Sequence, residues 1–176
     1  MTAALFESGC PAMTAPSPND LPARVERSTM TESDRKRIAK AVGGAMWEQD
    51  QASRNLGMRL KEIGPGHARI EMAVLPEMAN GLGICHGGKI FSLADTAFAY
   101  ACNSHNRIAV ASACHIDFLA PAQTGDILEA EAIERAAGGR TGVYDVVVRC
   151  PGRQVTIALF RGKSHRLNGD VVPGLR

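Results

Sequence analysis

Asn80-Gly81-Leu82-Gly83-Ile84-Cys85-His86-Gly87-Gly88 is a flexible polar turn, and Lys89 to Asn103 continues from it as an apolar run with one acid, Asp95. Wound at about 100° per residue, that run places Lys89, Ser92, Thr96 and Asn103 on one narrow polar stripe. Ile90, Ala94, Ala97 and Ala101 fall on the opposite, core-facing side. Asp95 belongs to neither group. It sits beside Phe91, Phe98 and Cys102, and no cation lies one helical turn away to pair with it. A carboxylate on an apolar flank costs free energy unless something else satisfies it, and such groups are enriched at active sites.

The start of the helix adds a second chemical element. Gly87-Gly88 leaves bare backbone N–H groups that no Cβ screens. The first amides of a helix have no intrahelical acceptor and carry the positive end of the macrodipole. Such groups suit the oxyanion that forms when a carbonyl is attacked. Asp95 is eight residues beyond Gly87, about 12 Å along one helix. A single carbonyl must be within about 3 Å of its donors and within reach of the acid. One helix cannot satisfy both requirements, whereas two antiparallel helices from two subunits can.

Outward from this helix the pattern changes from helical to extended. Asp34 to about Gln51 carries an Ile38, Val42, Ala45, Met46 stripe that predicts a first helix. Leu56–Ile63 and Ala68–Val74 read as strands flanking Gly64-Pro65-Gly66. Ile108–Leu119, Ile127–Ala136, Thr141–Arg149 and Gln154–Arg166 read as four more. Their separators are Pro121 to Asp126, Gly138-Gly139-Arg140 and Pro151-Gly152-Arg153. Such short turns predict antiparallel neighbours. The expected architecture is α+β, an antiparallel sheet wrapped around one long central helix. Exposed sheet edges predict pairing with another copy of the chain.

Composition narrows the class. The 176 residues suit one domain, and 45% hydrophobic with 22% charged is ordinary globular composition. A net charge of +2 points to no nucleic-acid or membrane partner. Arg24, Arg27, Arg35, Lys36, Arg37 and Lys40 are diluted by Asp20, Glu26, Glu32 and Asp34. Cys10, Cys85, Cys102, Cys114 and Cys150 are odd in number and lack metal-ligand spacing, which predicts reduced thiols and no metal. No apolar run approaches the roughly 20 residues that span a bilayer, and no signal-like start is visible. A cytoplasmic location is expected. Residues 1–30, rich in Ala, Ser, Thr and Pro, read as a disordered extension in which Met30 is an alternative start. Residues 31–170 form the expected domain.

The run Asn80…His86-Gly87-Gly88…Phe91-Ser92-Leu93-Ala94-Asp95-Thr96-Ala97-Phe98-Ala99 strongly resembles the hotdog-fold acyl-CoA thioesterases, above all their phenylacetate-degradation (PaaI) branch. Ala113 to Pro121, Arg140 to Val146 and Phe160 to Ser164 extend the likeness across roughly residues 35–167. The resemblance implies dimers or tetramers with each site shared between subunits. It implies that Asp95 acts as nucleophile or as general base for water, and that the Gly87 N–H polarises the thioester carbonyl. Asn80 would orient water or substrate, and His86 would shape the loop beside the thioester. Some relatives place Thr or Ser one turn after the acid, where this chain has Ala99.

The implied reaction is hydrolysis of phenylacetyl-CoA, or a hydroxylated or ring-modified aryl-acetyl-CoA, to free acid and CoA. CoA is then part of the substrate, and no separate cofactor is expected. Gly88, Arg140, Thr141, Arg161, Lys163 and Ser164 are the expected substrate- and CoA-binding residues, the cations holding phosphates. A hotdog-fold hydratase or dehydratase using His86 and Asp95 as acid–base partners is one alternative. A non-catalytic acyl-CoA-binding regulator is another. No Gly-x-Ser-x-Gly elbow supports a serine route. Cys85 beside His86 is a weaker candidate nucleophile, since free Cys is usually a small core residue.

Overall fold

The computed structural model describes residues 30–176, so the expectation for the N-terminal extension lies outside the described residues apart from Met30. Helix α1 (Glu32–Gln49) starts two residues before the predicted Asp34 because Thr31 and Asp34 form a reciprocal capping box. Asp50 ends α1, and its carboxylate accepts from the Ser53 amide at 3.0 Å to cap a short second helix, α2 (Gln51–Asn55). The first predicted strand therefore loses Leu56 to Met58 and becomes β1 (Arg59–Gly64). β2 (His67–Ala73) follows the glycine–proline turn as expected. After a short 3-10 turn comes α3 (Gly87–Asn103), then β3 (Ala109–Phe118), β4 (Ile127–Gly138), β5 (Thr141–Cys150) and β6 (Val155–Arg166).

All six strands join one antiparallel sheet in the order β1-β2-β4-β5-β6-β3. The Gly138 and Pro151 separators close hairpins, as their turn chemistry predicts. The Pro121 to Asp126 separator does not, which corrects the expectation that β3 and β4 are neighbours. Instead the loop crosses from one side of the sheet to the other. Leu119 N bonds Ile157 O beside β6 (2.8 Å), and Val74 N at the end of β2 bonds Asp126 O (2.9 Å). Arg153 clamps this crossing by donating to Pro121 O at 2.7 Å and pairing with Asp126 at 2.9 Å.

The sheet curves around α3, whose 17 residues span about 25 Å. Ile90, Leu93, Ala94, Ala97, Phe98 and Ala101 are buried. Burying each large side chain stabilises the fold by about 1.5–3 kcal/mol. Phe98 meets Tyr144 edge-on at 5.4 Å, and Phe91 meets Phe160 at 5.5 Å. β6 approaches the helix so closely that a Cβ on Gly162 would lie 2.8 Å from Phe98, so this position needs glycine. The expected polar stripe breaks at its end. Asn103 is buried and pairs with both backbone groups of Ala109 at 2.9 Å, tying α3 to β3.

At the same end of α3, the Glu134 carboxylate accepts from the Tyr144 hydroxyl (2.7 Å) and lies 2.8 Å from His105 Nε2. The His105 contact, then that of Tyr144, holds this carboxyl below the usual range. Its stabilisation is therefore present above the unfolded-state value and fades as pH falls through the folded one. Glu134→Gln is expected to lower unfolding free energy by about 1 kcal/mol at neutral pH, by loss of charge-assisted hydrogen bonding. The gap to the unsubstituted chain should narrow as pH falls from neutral to about pH 3, below the ordinary Glu range. Urea unfolding at both pH values checks this, and a pH-independent gap would contradict it.

The sheet has two edge strands, β1 and β3. Among the described residues β3 pairs only with β6, and it is exposed from Val110 to His115. Val110 is 45% exposed and Phe118 52% exposed, so the free edge carries apolar as well as hydrogen-bonding surface. Among the described residues no helix is long and apolar enough to cross a membrane.

Candidate active site

The turn before α3 is built around Asn80. Its N–H donates to Ile84 O (2.8 Å), and its carbonyl accepts from Gly83 N (2.9 Å). Its side-chain Oδ1 accepts from Leu82 N at 2.9 Å and more weakly from Ile84 N at 3.4 Å. These bonds occupy the side-chain oxygen, so the Asn80 Nδ2 group is the one left to meet a ligand. The chain then enters the helix through Cys85 N–Ala122 O (2.9 Å) and His86 N–Met78 O (2.8 Å).

His86 is the N-cap of α3. Its Nδ1 accepts from the Gly88 N–H at 2.9 Å. A neutral ring accepting there carries its proton on Nε2. The same bond engages the Gly88 amide, one of the groups expected to meet substrate. Gly87 is different. As the first helical residue it has no intrahelical acceptor, and among the described residues nothing accepts its N–H. It opens instead onto a cavity of about 410 Å³ shared with Asn80, Ile84, Ile90, Phe118 and Leu119. Phe118 covers Gly87 so closely that a Cβ there would lie 3.1 Å from its ring. The fold thus brings Asn80, His86 and Gly87 together. An unpaired donor at the positive end of a helix, facing an apolar cavity, is equipped to bind a carbonyl oxygen as charge develops on it.

Asp95 lies two turns further along α3, half-buried, and no part of that cavity. Burial pushes its carboxyl above the ordinary Asp range, opposed by a thiol contact from Cys114, whose Sγ is 3.9 Å from Oδ1. Cys102 shares its surroundings. Its thiol is pushed up to about 12 by burial first and by the Asp95 charge second. Cys85 is buried, raised mainly by desolvation, and its Sγ is 3.8 Å from the His86 carbonyl. That environment disfavours the thiolate a nucleophile requires.

Strand alternation divides the expected CoA-binding group. Phe160, Gly162 and Ser164 face the helix, whereas Arg161 and Lys163 point to the outer face of the sheet. Arg161 is engaged there with Asp145 at 2.7 and 3.0 Å, and Arg135 pairs with the same carboxylate. Arg140, Thr141 and Ser164 instead gather with Tyr144 and Arg166 around a closed crevice of about 10 Å³. Arg140 is bonded to Asn168 at 2.9 Å, and Thr141 to Gly138 O at 3.4 Å. The expected residues do not form one cluster in a single chain. Phe118 and Cys114 are not among the expected site residues, although the alternation of Cys114, Ile116 and Phe118 with polar His115 and Asp117 is a signal for their inward phase.

A sequence profile of the thioesterase superfamily matches residues 82–157. The chain is 52% identical over 127 residues to the acyl-coenzyme A thioesterase PaaI of Escherichia coli K12, covering 72% of this chain and 90% of that protein. The solved structure of the E. coli PaaI protein from the phenylacetic acid degradation operon superposes with a TM-score of 0.75 at 50% identity, covering 77% of this chain and 97% of the other. A mutant structure of the phenylacetic acid degradation protein PaaI from Thermus thermophilus matches with a TM-score of 0.63 at 35% identity, covering 65% and 97%.

Proposed function

This chain belongs to the thioesterase superfamily, and from that premise we propose that it hydrolyses phenylacetyl-CoA or a ring-modified aryl-acetyl-CoA at sites shared by two copies. It is an acyl-CoA thioesterase; the aryl-acetyl group and the shared site are our reading. The observation that carries it is the Gly87 N–H, unpartnered over an apolar cavity, with Asp95 about 12 Å away on the same helix. A second copy, its helix running the opposite way, supplies the missing acid. The open edge of β3 is the surface suited to bring that copy in.

In this reading the thioester oxygen accepts from Gly87, while Asn80 Nδ2 orients the water or the substrate. Asp95 of the second copy removes a proton from water as the new C–O bond forms. The C–S bond breaks as the tetrahedral intermediate collapses, and the proton passes to the departing thiolate. A thioester carbonyl has weak resonance stabilisation and a good leaving group, so no activated serine is needed. The cavity size falls within the usual ligand-site range, and Phe118, Leu119, Ile84 and Ile90 offer an apolar wall to an aromatic ring.

The test is thiol release from a panel of aryl-acetyl, short straight-chain and medium-chain acyl-CoAs. The highest kcat/KM is expected for aryl-acetyl substrates. Equal or better turnover of straight chains would remove the aryl assignment. Enoyl interconversion without thiol release would instead identify a hydratase.

A further inference from the structure

β3 does not alternate regularly. Its pairing with β6 runs Ala109–Arg166 and Ala111–Ser164, then shifts at Ser112 and resumes with Ala113–Lys163 and Cys114–Gly162. Ser112 is the extra residue of a β-bulge, and its hydroxyl donates to Lys163 O at 2.9 Å. Were Ser112 paired in regular alternation rather than bulged out, the inward phase of Ala109 and Ala111 would carry on to His115 and Asp117. With it, Cys114, Ile116 and Phe118 are paired opposite Gly162, Phe160 and Ala158, on the helix side of the sheet. His115 and Asp117 are turned outward, where they contact each other at 3.1 Å. One inserted residue therefore sets Phe118 over Gly87 and Cys114 against Asp95.

We propose that Cys114 is a positioning residue for Asp95: its thiol, held on the helix side by the Ser112 bulge, donates to the carboxylate and keeps it ionised and oriented. This rests on the reading of Asp95 as the acid of a thioester-hydrolysing site. Cys114 is the one hydrogen-bond donor to that carboxylate among the described residues. On α3 itself, Cys102 is the titratable group in its field. No cation from β1, β2, β4, β5, β6 or α1 comes within ion-pair distance among the described residues, and burial alone opposes the charge. Among the described residues this weak donor, 3.9 Å from the carboxylate, is the counterweight to desolvation, so its removal is expected to show as a change in Asp95 ionisation.

The experiment uses the full chain with Cys114→Ala and Cys114→Ser. Two readouts are taken: the acid limb of kcat/KM for thiol release, and the Asp95 titration by carboxyl-¹³C NMR, assigned against Asp95→Asn. In Cys114→Ala both should move up by about half a unit to one unit, giving about a 3- to 10-fold loss below the limb and little loss above it. In Cys114→Ser the hydroxyl should return both toward the unsubstituted values. An unmoved limb and an unmoved NMR titration in Cys114→Ala overturn the proposal. So does an equal loss at every pH in both variants, since that marks a merely structural role. If the unsubstituted protein releases no thiol, the thioesterase reading fails, and the NMR titration alone still decides whether Cys114 controls Asp95.

Discussion

Asp95→Asn is expected to reduce kcat by roughly 10²- to 10⁴-fold, the range for losing a positioned general base. The same substitution should not unfold the protein. The Asp95 carboxyl is raised by burial, so its charge is a cost in the folded state. A group whose folded value lies above its unfolded one favours folding below the unfolded value, and that benefit is lost as pH rises through the folded one. The amide carries no such charge. Asp95→Asn should therefore hold or raise Tm near pH 8 and show no gain near pH 4. A loss of activity paired with no loss of stability separates a functional group from a structural one. Near-normal turnover would remove Asp95 from the mechanism. A single turnover in ¹⁸O-water distinguishes its two possible roles. Label in the Asp95 carboxylate would show that Asp95 attacks first and that water then opens the anhydride at the Asp95 carbon, whereas direct attack by water puts the label in the product acid alone.

Most of the central layer was legible because its signals are local. The glycine turn, the apolar face of α3 and the hairpin turns at Gly138 and Pro151 each depend on neighbouring residues, and each lies where its chemistry predicts. The misreadings share a different cause. Pro121 to Asp126 is short enough for a hairpin, yet tertiary pairing sends β3 to the far edge and β4 beside β2. Asn103 reads as surface polar until Ala109 is brought beside it. Arg161 looks free until Asp145, on a neighbouring strand, is placed opposite it. Cys114 and Phe118 alternate with polar His115 and Asp117, which marks their face, but the partners that face meets, Asp95 and Gly87, are set by tertiary pairing across a one-residue bulge. Asp95 and Gly87 stood out for the opposite reason, that their signals are local: one is a lone carboxylate among apolar residues, the other belongs to a glycine pair that leaves a helix-starting amide unscreened.

Gly87→Pro is expected to reduce kcat by about 10²- to 10³-fold, the loss typical of one oxyanion donor. Proline deletes the N–H and is well tolerated at the first helical position, so the helix should survive. His86 already has the extended backbone that a residue preceding proline prefers (φ −61°, ψ 129°). Gly87→Ala is the control: it keeps the N–H and asks Phe118 to yield by a few tenths of an ångström. If each site takes its donor from one copy and its acid from the other, two inactive variants must rescue each other. In a mixed dimer of Asp95→Asn with Gly87→Pro, one site receives both defects and the other receives neither. Random 1:1 pairing makes about half of the dimers mixed, each with one intact site of two, so about a quarter of full activity should return. Co-expression followed by thiol-release assay measures it, with each variant alone as baseline. Failure to rescue, when tagged copies are shown to co-purify as mixed dimers, would place donor and acid in the same chain.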